Sequence, residues 1–238
     1  MSSVSYPAVP PQATYTSCYC EENIYLLAAS FLAIPDFRNS WDLSVVFISN
    51  RTKTVALWNQ RPARAEGVPI VWDYHVVLVL RPLFSSRDDM DDGKNSRTGS
   101  LIYDLDTTLD LPYDAQYYLK QTFPYIAEPS GLDAEYHRII PGDVFITDFA
   151  SDRSHMVVPI SEISASSVPD DATEVQNLST SVVYKAAPPL YPPIAGVRAR
   201  ENGIVNNLMT DFVDMSNPKG FGVVVNLEEL MTWIVSQD

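Results

Sequence analysis

The stretch 72-WDYHVVLVL-80 sets an imidazole in a run that is otherwise built to pack. Its alternation places Asp73, His75, Val77 and Val79 on one face of a strand and Trp72, Tyr74, Val76 and Leu78 on the other. The whole run Val68–Leu80 reads as one long, half-buried strand. Two further β-rich runs precede it, 43-LSVVFIS-49 and 54-TVALW-58, and Asn50–Lys53 between them reads as the turn of a hairpin. The next strand-like segment is 100-SLIYDLDT-107, and 221-FGVVVN-226 closes the set.

Helical patterns flank these strands. Ile24, Leu27, Phe31 and Leu32 recur at helical spacing from Cys20, with Glu21 and Glu22 in the first turn where the helix dipole favours acids. That helix should stop before Pro35. The segment 112-PYDAQYYLKQTF-123 suits a short helix, and 139-IIPGDVFITDFASDRSHM-156 is ambiguous between strand and helix. Asn226 is placed to cap 227-LEELMTWIV-235, with Glu229 at the capping-box position. There is no internal repeat. Helix first, strands next and helices last predict an α+β fold around a largely antiparallel sheet flanked by helices. Residues 1–238 read as a single catalytic domain, with 1–14 an extended arm and 81–99 and 157–187 polar surface excursions.

Composition narrows the chemistry. At 238 residues the chain can bury a sizeable core, and 46% hydrophobic against 19% charged residues is the balance of a folded globular protein. Thirty acidic residues against 16 basic ones leave a net charge of -14, which argues against nucleic acid or an anionic membrane surface. The same charge would attract a cationic ligand such as a free amino group. No apolar run is long enough for a membrane span, and residues 1–17 lack a basic region followed by an apolar core, so no secretory signal is expected. Cys18 and Cys20 lie too close in sequence to close a useful disulfide loop, which points to a reducing compartment.

Cys20, immediately ahead of an amphipathic helix, would set its sulfur near unpaired N–H groups that favour the thiolate. Cys18 is the rival, with less to gain from the dipole. A closed zinc site would need more Cys or His ligands than Cys-x-Cys supplies. A cysteine nucleophile needs a base, and the histidines are His75, His137 and His155. His137 sits among charged residues and reads as surface. His155 clusters with Asp152 and Arg153 in what reads as a turn. His75 is either a core histidine satisfied by a carbonyl or the base. Asp104 lies in the next strand and, if buried there, asks for a partner; Asp106 is the fallback. Cysteine, histidine and aspartate in that order match the logic of a thiol hydrolase.

Together the strings 16-TSCYCEENIYLL-27, 70-IVWDYHVVL-78, 101-LIYDLDT-107, 149-FASDRSHM-156, 188-PPLYPP-193 and 219-KGFGVVVNLEEL-230 resemble the protein N-terminal glutamine amidohydrolases, from near residue 15 to residue 230. The resemblance implies hydrolysis of the side-chain amide of an N-terminal glutamine to glutamate and ammonia, feeding the arginylation branch of the N-degron pathway. It implies Cys20 as nucleophile, His75 as base and Asp104 as the acid that orients it, without metal or cofactor. It further implies a transglutaminase- or papain-like core, and a monomer in cytoplasm and nucleus. Candidates for reading the substrate's α-ammonium are carboxylates near the cleft, Glu22 and Asp73, or backbone carbonyls. A transglutaminase or peptidase using the same triad, and a catalytically silent binding module, are the rival readings.

Overall fold

The computed structural model describes residues 6–11, 13–83, 99–124, 136–159 and 182–236. Most of 81–99 and of 157–187 therefore lies outside the described residues. A six-stranded antiparallel sheet carries the fold, in the order β6-β5-β4-β1-β7-β8. Its strands are β1 (Trp41–Ser49), β4 (His75–Pro82), β5 (Leu101–Tyr103), β6 (Tyr113–Asp114), β7 (Tyr136–Pro141) and β8 (Val223–Asn226). The short strands β2 (Val55–Leu57) and β3 (Ile70–Trp72) form a separate ribbon. The helices are α1 (Cys20–Leu32), α2 (Phe37–Ser40), α3 (Ala115–Thr122), α4 (Gly142–Asp148), α5 (Val197–Glu201) and α6 (Leu227–Val235). A 3₁₀ turn covers Ser154–Met156, and one π-helical segment covers Leu208–Val213. Among the described residues no helix is long and apolar enough to cross a membrane.

The α+β class and the antiparallel sheet stand as read, and two strand assignments change. The runs around 43–49 and 54–58 are not a hairpin. β1 pairs instead with β4 and β7, and β2 turns away to pair with β3. The predicted strand Val68–Leu80 breaks at Asp73, because the Asp73 carboxylate accepts the Tyr74 N–H at 3.0 Å and so takes a donor out of any ladder. Downstream of the break β4 is buried on both faces rather than one. Val76, Leu78 and Leu80 pack under α1 and α4 with Phe31, Phe47 and Phe145. Val77 and Val79 pack on the other side with Tyr118, Leu119, Leu230 and Ile234 of α3 and α6. An antiparallel sheet covered on both faces reads as nearly continuous apolar sequence, which is what VVLVL is.

Local signals account for the helix boundaries. Asp114 caps α3 by accepting from the Gln116 and Tyr117 N–H groups. Asn226 and Glu229 form the expected capping box at α6, with bonds of 2.9 and 2.8 Å. The ambiguous stretch from 139 resolves into the end of β7, then α4, then the 3₁₀ turn.

His137 is a correction: it is fully buried in β7 and packs edge-on against Phe123 at 5.8 Å. Among the described residues neither ring nitrogen has a hydrogen-bond partner. Burial without a partner opposes the imidazolium and pulls its pKa down to about 3. The folded state therefore binds fewer protons here than the unfolded state between about pH 6.5 and 3, and stability must fall as pH falls through that window. The slope from this one group approaches 1.4 kcal/mol per pH unit. Urea unfolding of the wild type and of His137→Leu across that range is expected to show a steeper acid loss in the wild type.

Candidate active site

Cys20 is the first residue of α1. The chain enters the helix through Cys18 in the left-handed conformation (φ 67) and through a reciprocal pair of bonds between Thr16 and Asn23. Asn23 accepts the Thr16 N–H at 2.8 Å and donates to the Thr16 carbonyl at 2.9 Å. No side chain caps this terminus, so its first N–H groups stay available. α1 packs across β4, and the Val76 N–H, one residue past His75, is close enough to the Cys20 sulfur to favour its thiolate. Burial works against it, with the Glu21 charge adding, and together they hold the thiol well above its ordinary pKa.

His75 opens β4 and is almost fully buried. Its Nε2 lies 2.8 Å from Asp104 Oδ1, which leaves Nδ1 as the nitrogen that can serve a neighbour. The ring stacks under Trp72, with centroids 6.0 Å apart. Asp104 follows the last residue of β5 and is fully buried. Its Oδ1 also accepts the Asp106 N–H at 2.9 Å, and its Oδ2 accepts from Gln60 and Tyr118 at 2.8 Å each. Burial alone would raise the Asp104 pKa, but the His75 charge and these bonds outweigh it and hold the carboxyl below its usual range. For His75 burial alone would lower the pKa, and Asp104 more than reverses that. Asp106 does not bond His75; it accepts from the Tyr15 hydroxyl at 2.5 Å.

Cys20 and His75 line one cavity of about 220 Å³ with Cys18, Trp72, Asp73, Tyr74, Asp106, His155 and Lys185. The stretch 157–187, read from sequence as a polar surface excursion, contributes Lys185 and Ala186 to this wall. A larger depression of about 300 Å³, bounded by Ser151, Pro193, Arg200 and Val205, holds none of the three sequence-predicted residues.

Tyr74, Glu21 and Arg153 have no role in the chemistry assigned from sequence, and Glu22 is there a candidate for the substrate's α-ammonium. Tyr74 donates to Glu21 Oε2 at 2.9 Å, and its hydroxyl lies 3.3 Å from His155 Nε2. Glu21 is sealed from solvent, and burial pushes its pKa up to about 7. Glu22 is held at both oxygens by Arg153, Nε and Nη2 each at 2.8 Å. Arg153 adopts the left-handed conformation (φ 63) and donates as well to the carbonyls of Pro189 and Tyr191. The strings CYCEEN, FASDRSHM and PPLYPP thus meet at one buried ion pair, a partnership that no local spacing announces.

The donor atoms of His75, Asp104 and Asp106 all lie within 4.8 Å of one another, the separation a metal ion would need. Each is already engaged: His75 with Asp104, Asp104 with Gln60 and Tyr118, and Asp106 with Tyr15. The cluster fits a hydrogen-bonded relay better than a ligand set.

Residues 15–234 match the family model described as N-terminal glutamine amidase. A Drosophila melanogaster protein named protein N-terminal glutamine amidohydrolase is 32% identical over 221 residues, 92% of this chain and 86% of the relative. Proteins of the same name from Bos taurus and Danio rerio are 31% and 29% identical over 234 and 233 residues. These matches cover 98% and 97% of this chain and 93% and 95% of the relatives. Matched along nearly its whole length, the chain belongs to the N-terminal glutamine amidase family.

Proposed function

We propose that this enzyme hydrolyses the side-chain amide of an N-terminal glutamine on a protein or peptide, with Cys20 as nucleophile, His75 as acid and base, and Asp104 orienting His75. One observation carries the reading. The His75 ring is tied through Nε2 to a carboxylate whose other lone pairs are filled, and His75 lines one cavity with Cys20.

His75 Nδ1 takes the Cys20 proton as the sulfur attacks the amide carbon. The charges of Asp104 and Asp106 favour the imidazolium that results. The oxyanion that forms lies within reach of N–H groups at the start of α1, the Cys20 N–H among them, a contribution of about 3 kcal/mol per donor. His75 returns the proton to the departing nitrogen, the C–N bond breaks and ammonia leaves. Water, deprotonated by the same imidazole, attacks the γ-glutamyl thioester, the C–S bond breaks and glutamate is released. Every step uses this chain's own residues. The reading takes in residues 1–238 as one catalytic domain, a monomer of cytoplasm and nucleus, and service to the arginylation branch of the N-degron pathway.

Peptides beginning with Gln, beginning with Asn and carrying only internal Gln separate the rivals. Turnover of N-terminal Gln alone is expected, followed as ammonia release and an amide-to-acid mass change. Cleaved peptides would establish a peptidase, crosslinked ones a transglutaminase, and binding without conversion a silent module.

A further inference from the structure

The substrate reading above leaves one requirement unmet: something must distinguish an N-terminal glutamine from an internal one. The difference is an α-ammonium four bonds from the reacting carbon, so its counter-ion has to stand on the same cavity wall as Cys20. The carboxylates against that cavity can be sorted by what already holds them.

Glu22 is removed, because both its oxygens are bound by Arg153. Asp104 accepts four hydrogen bonds and has nothing left to offer. Asp106 is buried and holds the Tyr15 hydroxyl. Glu21 is fully buried, with Oε2 between the Tyr74 hydroxyl and the Cys20 sulfur and Oε1 3.6 Å from His155 Nε2, and it does not line the cavity. Asp73 differs from all of these. It is exposed and lines the cavity beside Cys20 and His75. Its Oδ1 is held by the Tyr74 N–H at 3.0 Å, and its carbonyl by the Ser49 hydroxyl at 2.9 Å, so the carboxylate is fixed in place. Among the described residues Oδ2 has no partner and Asp73 forms no ion pair, not even with Lys185 of the same wall. A cavity of about 220 Å³ is below the usual size for drug-like ligands and suits a single residue with its amino group.

Resting on the amidase reading, we propose that Asp73 is the specificity-determining residue that accepts the substrate α-ammonium through its free oxygen. The residue that breaks the strand ahead of His75 is thereby the one that tests for a chain terminus. An internal or acylated glutamine brings no charge to Oδ2 and leaves that carboxylate to be desolvated without recompense.

The test pairs one substitution with one substrate change. Asp73→Asn keeps an oxygen for the Tyr74 N–H and removes the charge. A peptide with N-terminal glutamine is compared with the same peptide bearing a 4-carbamoylbutanoyl group, which is glutamine without its amine. The wild type is expected to favour the amine-bearing peptide in kcat/KM by about 10- to 100-fold, the range for a hydrogen bond to a charged group. In Asp73→Asn that ratio should collapse toward one, with the loss in KM for the amine-bearing peptide. A variant that keeps the wild-type ratio, even with both substrates slowed alike, overturns the proposal and leaves Asp73 a structural residue. Failure of the wild type on both peptides would instead sink the amidase reading, and this proposal with it.

Discussion

Cys20→Ser is expected to lower turnover of an N-terminal glutamine peptide by about 10⁴- to 10⁶-fold while the protein stays folded. The proposed base, His75, lines the same cavity as the sulfur, and the Val76 N–H favours its thiolate. A serine hydroxyl in that position is a far weaker acid, and an imidazole matched to a thiol cannot ionise it to a useful extent. Folding should survive because Cys20 is partly exposed and its side chain is changed by one atom. Cys18→Ser is the control. Its sulfur lies 3.6 Å from the Ser17 hydroxyl, and activity near wild type is expected. Ammonia release measured on both proteins settles the assignment, and the reverse pattern, a dead Cys18→Ser with an active Cys20→Ser, would move the nucleophile.

The second large effect concerns stability. Glu22→Ala is expected to destabilise the protein by about 3–5 kcal/mol, because it strands a buried guanidinium. Arg153 is 5% exposed as a side chain and Glu22 0%, so water cannot replace the lost carboxylate. At this chain length that corresponds to a fall in melting temperature of roughly 6–20 °C, measurable by thermal denaturation. The surface pair of Arg38 and Asp143, with side chains 53% and 66% exposed, provides the contrast. Asp143→Asn should change stability by about 1 kcal/mol or less. The double change Glu22→Leu with Arg153→Met should cost less than Glu22→Ala alone, since it leaves no charge unpaired.

What could be read without coordinates follows a physical divide. Local signals were reliable: the first turn of α1, the capping box at Asn226 and Glu229, and a carboxylate at Asp104 that needed a partner all depend on residues within a few positions of one another. Long-range pairing was not. β1 finds its neighbours at His75–Pro82 and Tyr136–Pro141, and nothing in 43-LSVVFIS-49 distinguishes them from the nearer 54–58. His137 read as surface because Asp133, Glu135 and Arg138 surround it, yet Arg138 is itself buried, donating to the carbonyls of Asp214, Asn217 and Phe221. Glu22 and Arg153 are 131 positions apart, and no period or spacing connects them. Alternation left His75 open between a core residue and the base, and the cost of burying Asp104 asked for a partner without naming it, whereas Tyr74, Glu21 and His155 needed the third dimension to meet.

The ion pair between Glu22 and Arg153 also bears on how this protein opens. Helix ends ordinarily fray at little cost, and a nucleophile at the first residue of a helix would share in that fraying. Here that same first turn is bolted through Glu22 to Arg153, and through Arg153 to the carbonyls of Pro189 and Tyr191. Unwinding the start of α1 means separating a desolvated pair that also joins two other segments of the chain. The Cys20 terminus is thus part of one cooperative unit, and the hydrogen-bonded amides that follow it, from the Asn23 N–H onward, should exchange with solvent through large-scale unfolding rather than by local breathing.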